Sequence, residues 1–370
     1  MFVTRPIVPP WDEASKNFAF ELASAMKSYR PTLLTKGVLD EFKGRFDQLP
    51  IYTNEQLNLR QKSRLLKLSA QAKKFDILHY LFTPTPANTK FFKSVIRNKQ
   101  AKTVQTVATV RTDLYSEAQL RKIFIGDAVV VYSEAAKKRL QKLGVKRIVK
   151  IYPGIDLDKY APAKPSTKLS KRLGISDKDF VVAYPGEYTR LGATDLLKKS
   201  LPDLVDAIPN LKMIFACRIK NQNDKQAKAS LIEHFQKEGL EKHVVFTDTE
   251  HDMAAFYNSC DIVLFPVTDM SGKFDIPLII VEAMACGKPL IVSDLKTFSE
   301  FTFPDTALIV KAGDHNDFVQ GVIKLHTKPD LSKELAKNAR QYVLDNFDIK
   351  KIAKAYEKLY TSLLGENSND

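Results

Sequence analysis

The chain of 370 residues has little of what marks a secreted, zinc-binding or membrane-spanning protein. Its three cysteines, Cys217, Cys260 and Cys286, lie far apart without ligand spacing. That excludes a disulfide framework and argues against a zinc site, leaving reduced thiols in or near a core. The six histidines are scattered, with no His-x-x-x-His. No apolar run reaches the ~18–20 residues that span a bilayer. The opening MFVTRPIVPPWDEASKN lacks the basic-then-apolar layout of a signal peptide. No Gly-x-Gly-x-x-Gly follows the first predicted strand, which speaks against an NAD-dependent enzyme. No Asp-x-Asp metal pair stands out, and the nearest candidate, Asp248-Thr249-Glu250, reads as a loop. A cytoplasmic protein is expected, with no metal and no cofactor.

What is present in excess is positive charge, and only in one half. Residues 1–168 hold 31 Lys/Arg against 14 Asp/Glu, whereas residues 169–370 hold 26 against 29. A one-sided charge of this size suggests an anionic partner for the first half. QLNLRQKSRLLKLSAQAKK, residues 56–74, reads as a helix with Arg60, Arg64 and Lys67 on one face beside Leu57, Leu65 and Leu68. A second basic cluster runs through Lys137, Lys138, Arg139 and Lys142. On an anionic membrane surface each such residue contributes ~1 kcal/mol. A solvated helix face is the alternative. Nucleic acid is not expected, because no nucleic-acid motif accompanies the charge.

Short β-branched runs alternate with amphipathic stretches. Strands are predicted at Met1–Thr4, Pro31–Thr35, Asp76–Phe82, Thr103–Val110, Ala128–Ser133 and Ile148–Tyr152. Helices lie between them, with Ser116 and Ser133 placed as N-caps. A second strand–helix series starts at Phe180 after the loose, Lys/Pro-rich APAKPSTKLSK. Such alternation predicts an α/β protein with two doubly wound, Rossmann-like domains facing a central cleft. The expected limits are 1–155, 156–346, and 347–370 for a helix and tail packing back across the join.

Four blocks carry a resemblance. They are VVVYSEAAKKRLQKLGVKRIVKIYPGIDLDKY, VVAYPGEYTRLGATDLL, DMAAFYNSCDIVLFP and PLIIVEAMACGKPLIVSD, in that order. Together they resemble the family-4 retaining glycosyltransferases of the glycosyltransferase-B fold. The resemblance implies a nucleotide-sugar donor in the second domain and a glycan or glycolipid acceptor in the first. Transfer would proceed with retention and without a protein nucleophile, the leaving diphosphate oxygen taking the acceptor proton. It also implies that Glu282 holds the donor ribose. A carboxylate suits that task because it accepts hydrogen bonds from both hydroxyls of a cis-diol.

The sequence departs from the family at several points. The first Glu of the family's Glu-x7-Glu falls on Phe274, with Asp275 one residue later as the catalytic or sugar-binding substitute. In GEYTRLGA the family's Arg position is Glu187 and its Lys position is Gly192. Without cations a leaving diphosphate of charge about −2 to −3 is poorly stabilised. Arg190, Lys273 and Arg218 are the candidate donor-binding replacements, Lys273 with Gly272 and Phe274 in the SGKFD loop; Lys220 follows Arg218. On the acceptor side, His79 in DILHYLFTP is a candidate catalytic residue, while Ala108 and Thr109 stand where the family has a His-Asp pair. The first loop lacks the usual Gly pair and offers Trp11, Asp12 and Lys16. These losses keep a non-catalytic binding or scaffold protein of the same fold as the alternative.

Overall fold

The computed structural model describes residues 1–8, 13–53, 68, 74–95 and 100–365. The expected helix over 56–74, with Arg60, Arg64 and Lys67, lies outside the described residues apart from Leu68 and Lys74, as do Trp11 and Asp12. Contacts divide the chain into two compact units. One comprises Met1–Asp156, Ser271–Ile276 and Phe347–Asp370; the other comprises Leu157–Met270 and Pro277–Asn346. Each is a parallel sheet with helical crossovers, so the doubly wound α/β class holds for both.

In the first unit the elements are β1 (Phe2–Ile7), α1 (Ala14–Ala25), β2 (Thr32–Lys36), β3 (Asp47–Tyr52), β4 (Ile77–Leu81), α2 (Pro86–Val95), β5 (Lys102–Val107), α3 (Glu117–Ile123), β6 (Ala128–Val131), α4 (Glu134–Lys142) and β7 (Ile148–Lys150). Among the described residues the sheet has seven strands in the order β3-β2-β1-β4-β5-β6-β7. The central strands are apolar on both faces because helices cover both, as in the fully buried Ala128–Val131. Ser116 opens α3 with a capping box to Gln119, and Ser133 caps α4 by accepting from the Ala136 N–H. Both are where the sequence places them.

Two elements differ from expectation. Strand β3, DQLPIY, was not anticipated: it carries Pro50 and alternates little, which only an edge strand tolerates. Strand β5 ends at Val107, so Ala108 and Thr109 leave the sheet.

The C-terminal helix, Ile349–Leu364, belongs to the first unit. Its attachment is polar as well as apolar. Tyr360 Oη lies 2.6 Å from His79 Nδ1, His79 Nε2 lies 2.7 Å from Thr106 Oγ1, and Thr106 Oγ1 lies 3.0 Å from Tyr356 Oη. Glu357 Oε1 accepts from the backbone N–H groups of Lys27 and Ser28 at 2.7 and 2.6 Å. Where the chain enters this helix, Ile155 N donates to Phe347 O and Ile349 N to Ile155 O. Gly154 permits that approach, since a Cβ there would meet Ile349 Cα at 2.8 Å.

His79 therefore does not serve as the sequence suggested. It is fully buried in β4 with both ring nitrogens engaged, so no nitrogen is left to touch a substrate. Burial lowers its pKa from the ordinary 6.5 to about 3, which keeps the ring neutral. Below pH 6.5 the unfolded chain protonates this imidazole while the folded chain resists until about pH 3. This contribution to stability is complete above the upper value and declines toward the lower one, by about 1.4 kcal/mol per pH unit. Urea unfolding at several pH values from neutrality down to about 5, above the main carboxylate range, should show the decline. It should be smaller in the His79→Gln variant.

Candidate functional site

The second unit contains α5 (Thr167–Leu173), β8 (Phe180–Tyr184), α6 (Thr194–Ala207), β9 (Leu211–Ala216), α7 (Gln222–Lys237), β10 (Val244–Thr247), α8 (Met253–Asn258), β11 (Ile262–Phe265), α9 (Leu278–Ala285), β12 (Leu290–Ser293), β13 (Leu308–Val310), α10 (His315–Thr327) and α11 (Pro329–Asn346). Helix α5 forms inside what reads as a loose linker, capped by Ser166 and closed by Gly174. The sheet order is β10-β9-β8-β11-β12-β13, so the strand order reverses between β8 and β11. Open α/β sheets bind ligands beyond the carboxyl ends of their strands at such a reversal. The loops after β8, β9 and β11 meet there.

Glu282 sits in the second turn of α9 rather than at its start, and only 9% of it is exposed. Tyr257, at the C-terminal end of α8, donates its hydroxyl to Glu282 Oε2 at 3.0 Å. That phenol is fully buried and is pushed well above its ordinary pKa, by burial first and the Glu282 charge second. Tyr257 thus remains a hydrogen-bond donor at neutral pH and fixes one oxygen of the carboxylate. Arg340 Nη1 donates to Ala285 O and so closes the far end of α9. This arrangement lets a carboxylate of fixed orientation accept hydrogen bonds from a polyhydroxyl ligand.

The loop after β8 is held from several sides. Tyr184 Oη donates to Glu187 O at 3.2 Å, and Thr194 Oγ1 to Tyr188 O at 2.9 Å. Leu191 O accepts from Thr268 N at 2.9 Å, which ties this loop to the one after β11. Buried Glu187 pairs with Lys220 from the loop after β9 and lies 3.7 Å from Arg190 Nε. Arg190 and Lys220 are thereby brought together; Arg218 lies half-buried in the same β9 loop.

The SGKFD loop packs with the first unit. Gly272, Lys273, Phe274 and Asp275 form part of the first unit. Phe274 sets its ring against Tyr132 at 5.6 Å, an apolar contact that a Glu could not make. Asp275 Oδ2 accepts from Ser133 Oγ at 2.6 Å, and Asp275 N donates to Ala108 O at 2.9 Å. That carboxylate is held at the N-terminus of α4, where its charge is favoured by the helix dipole. Lys16, expected on the acceptor side, is buried on α1 and donates to Val8 O at 3.2 Å. Among the described residues no cluster of three His, Cys, Asp or Glu side chains could hold a metal. No helix among them is long and apolar enough to cross a membrane.

Tyr257, Asp224 and the pairing role of Glu187 were missed from the sequence. Tyr257 lies inside the quoted DMAAFYNSCD block, but only the fold brings it to Glu282.

Two family descriptions match the chain: "Glycosyltransferase Family 4" over residues 16–159 and "Glycosyl transferases group 1" over residues 165–342. The N-acetyl-alpha-D-glucosaminyl L-malate synthase of Bacillus anthracis is 23% identical over 332 residues, 87% of this chain and 84% of that protein. The lipopolysaccharide core biosynthesis mannosyltransferase LpsB of Rhizobium meliloti is 28% identical over 218 residues, which span 58% of this chain and 60% of that relative. Among solved structures, sucrose-phosphate synthase from Thermosynechococcus elongatus superposes with a TM-score of 0.79 at 16% identity, covering 99% and 98% of the two chains. Anabaena HepE in complex with UDP-glucose gives 0.77 at 18% identity over 98% of each chain.

Gly192 supplies a direct test of the loop geometry. Its φ is +70°, and a Cβ there would meet Thr268 Oγ1 at 2.0 Å. A side chain at this position must adopt a left-handed backbone and turn the Thr268 hydroxyl away. Gly192→Ala is expected to lower stability by about 1–3 kcal/mol in urea unfolding. The same geometry disfavours a lysine at the family's Lys position.

Proposed function

We propose that this chain, which belongs to the family-4 glycosyltransferases of the glycosyltransferase-B fold, moves a sugar from a nucleotide-sugar donor to a hydroxyl acceptor with retention at the anomeric carbon. The observation that carries the reading is Glu282, buried and oriented by Tyr257. A carboxylate held in a fixed orientation suits the ribose hydroxyls of the donor. The UDP and UDP-glucose complexes of HepE support a nucleoside diphosphate-sugar as the donor class. In this mechanism the donor ribose is anchored on Glu282, side-chain cations take the diphosphate charge, and the leaving phosphate oxygen accepts the acceptor's proton. No divalent metal is needed for that charge balance.

A screen of UDP-, GDP- and ADP-sugars, read by nucleoside diphosphate release, tests this. One donor should give release that survives EDTA and falls about a hundredfold in Glu282→Ala, the loss of charged hydrogen bonds to both hydroxyls. Release unchanged in that variant removes the assignment, and a strict need for Mg2+ or Mn2+ removes the metal-free mechanism.

A second reading, a binding or scaffold protein without turnover, is favoured by Glu187 and Gly192 standing where the family has cations. Donor binding without any release would support it.

The acceptor is proposed to be membrane-associated, because the positive excess lies wholly in residues 1–168. Flotation with anionic vesicles should carry the protein upward, and neutral vesicles should not. Equal recovery in the soluble fraction with both would defeat this part of the reading.

A further inference from the structure

A carboxylate at the carboxyl end of β8 would by itself repel a diphosphate. Glu187 is not by itself. Its side chain is 8% exposed, while those of Lys220 and Arg190 are 31% and 49% exposed. The anion is buried, and the two cations paired with it are more exposed.

A second buried carboxylate locks the two loops together. Asp224 Oδ1 accepts from Thr189 Oγ1 in the loop after β8 at 2.9 Å, and its Oδ2 accepts from Lys220 N in the loop after β9 at 3.1 Å. Its own N–H donates to Asn221 Oδ1 at 3.0 Å. Thus Thr189 and Lys220, from adjacent strands, share one anchor. Gly192 meanwhile has a backbone that disfavours the family's lysine.

We infer that Glu187 is a positioning residue for the donor diphosphate: in a loop that Asp224 ties to that of Lys220, it positions Lys220 and Arg190 as the cation pair that takes over from the missing arginine and lysine. The inference rests on the second unit being the donor site. It has a consequence of definite sign. If Glu187 merely diluted positive charge, neutralising it would tighten diphosphate binding. As a positioning residue, its neutralisation loosens Lys220 and Arg190 and weakens binding.

The test is calorimetry with UDP, GDP and ADP and their monophosphates, on the full chain. Wild type should bind one diphosphate more tightly than its monophosphate. Glu187→Gln should lose about tenfold of that preference with monophosphate affinity unchanged, as expected for a lost charge-assisted pair. Lys220→Met, at a partly exposed side chain, should show the same loss should Glu187→Gln fail to fold, and Lys220→Arg should retain the preference. Tighter diphosphate binding in Glu187→Gln, or an unchanged preference in Lys220→Met, overturns the inference while leaving nucleotide binding intact. Absence of nucleotide binding in wild type overturns the donor-site reading and the inference with it.

Discussion

A carboxylate withdrawn from water costs several kcal/mol unless cations or N–H and O–H donors surround it. The chain meets this demand repeatedly, each time where two segments distant in sequence must stay together. Glu357 gathers the Lys27 and Ser28 amides onto the C-terminal helix. Asp224 joins the loops after β8 and β9. Glu187 collects Lys220 and Arg190, and Tyr257 orients Glu282. In the second unit these anions stand at the strand-order reversal, so the interaction that holds the loops also sets the electrostatics of the candidate site. Loss of one partner would leave a buried charge unmatched and would disturb ligand geometry and stability together.

On the inference above, two cations in one loop are replaced by one from each of two loops, with an anion between them. The cost is a net charge lower by one. The return is orientation, because a lysine tied to a buried carboxylate samples fewer rotamers than a solvated one.

Most of the fold was legible because strand–helix alternation is a local signal: β-branched runs such as Ala128–Val131 and caps such as Ser116 announce themselves. Glu282 was singled out for a different reason, through the resemblance of its neighbourhood. What escaped depends on tertiary contact. Strand β3 is held by its neighbour at the sheet edge and not by its own propensity. His79 reads as a lone strand histidine until Tyr360, 281 residues away, takes its Nδ1. The partners of Phe274 and Asp275 in Tyr132, Ser133 and Ala108 were likewise not written in the SGKFD stretch itself. No periodicity in the sequence encodes those meetings.

The first unit is assembled from three stretches of chain, and its buried hydroxyl–imidazole network needs Tyr356 and Tyr360. Protein synthesis proceeds from the amino end, and domains tend to fold as they emerge. Here the amino-terminal sheet emerges first but lacks its final layer until the Ile349–Leu364 helix has left the ribosome. The second unit, whose residues run only to Asn346, is complete earlier. The order in which the chain of each unit is completed is therefore the reverse of the order in which their sheets are made.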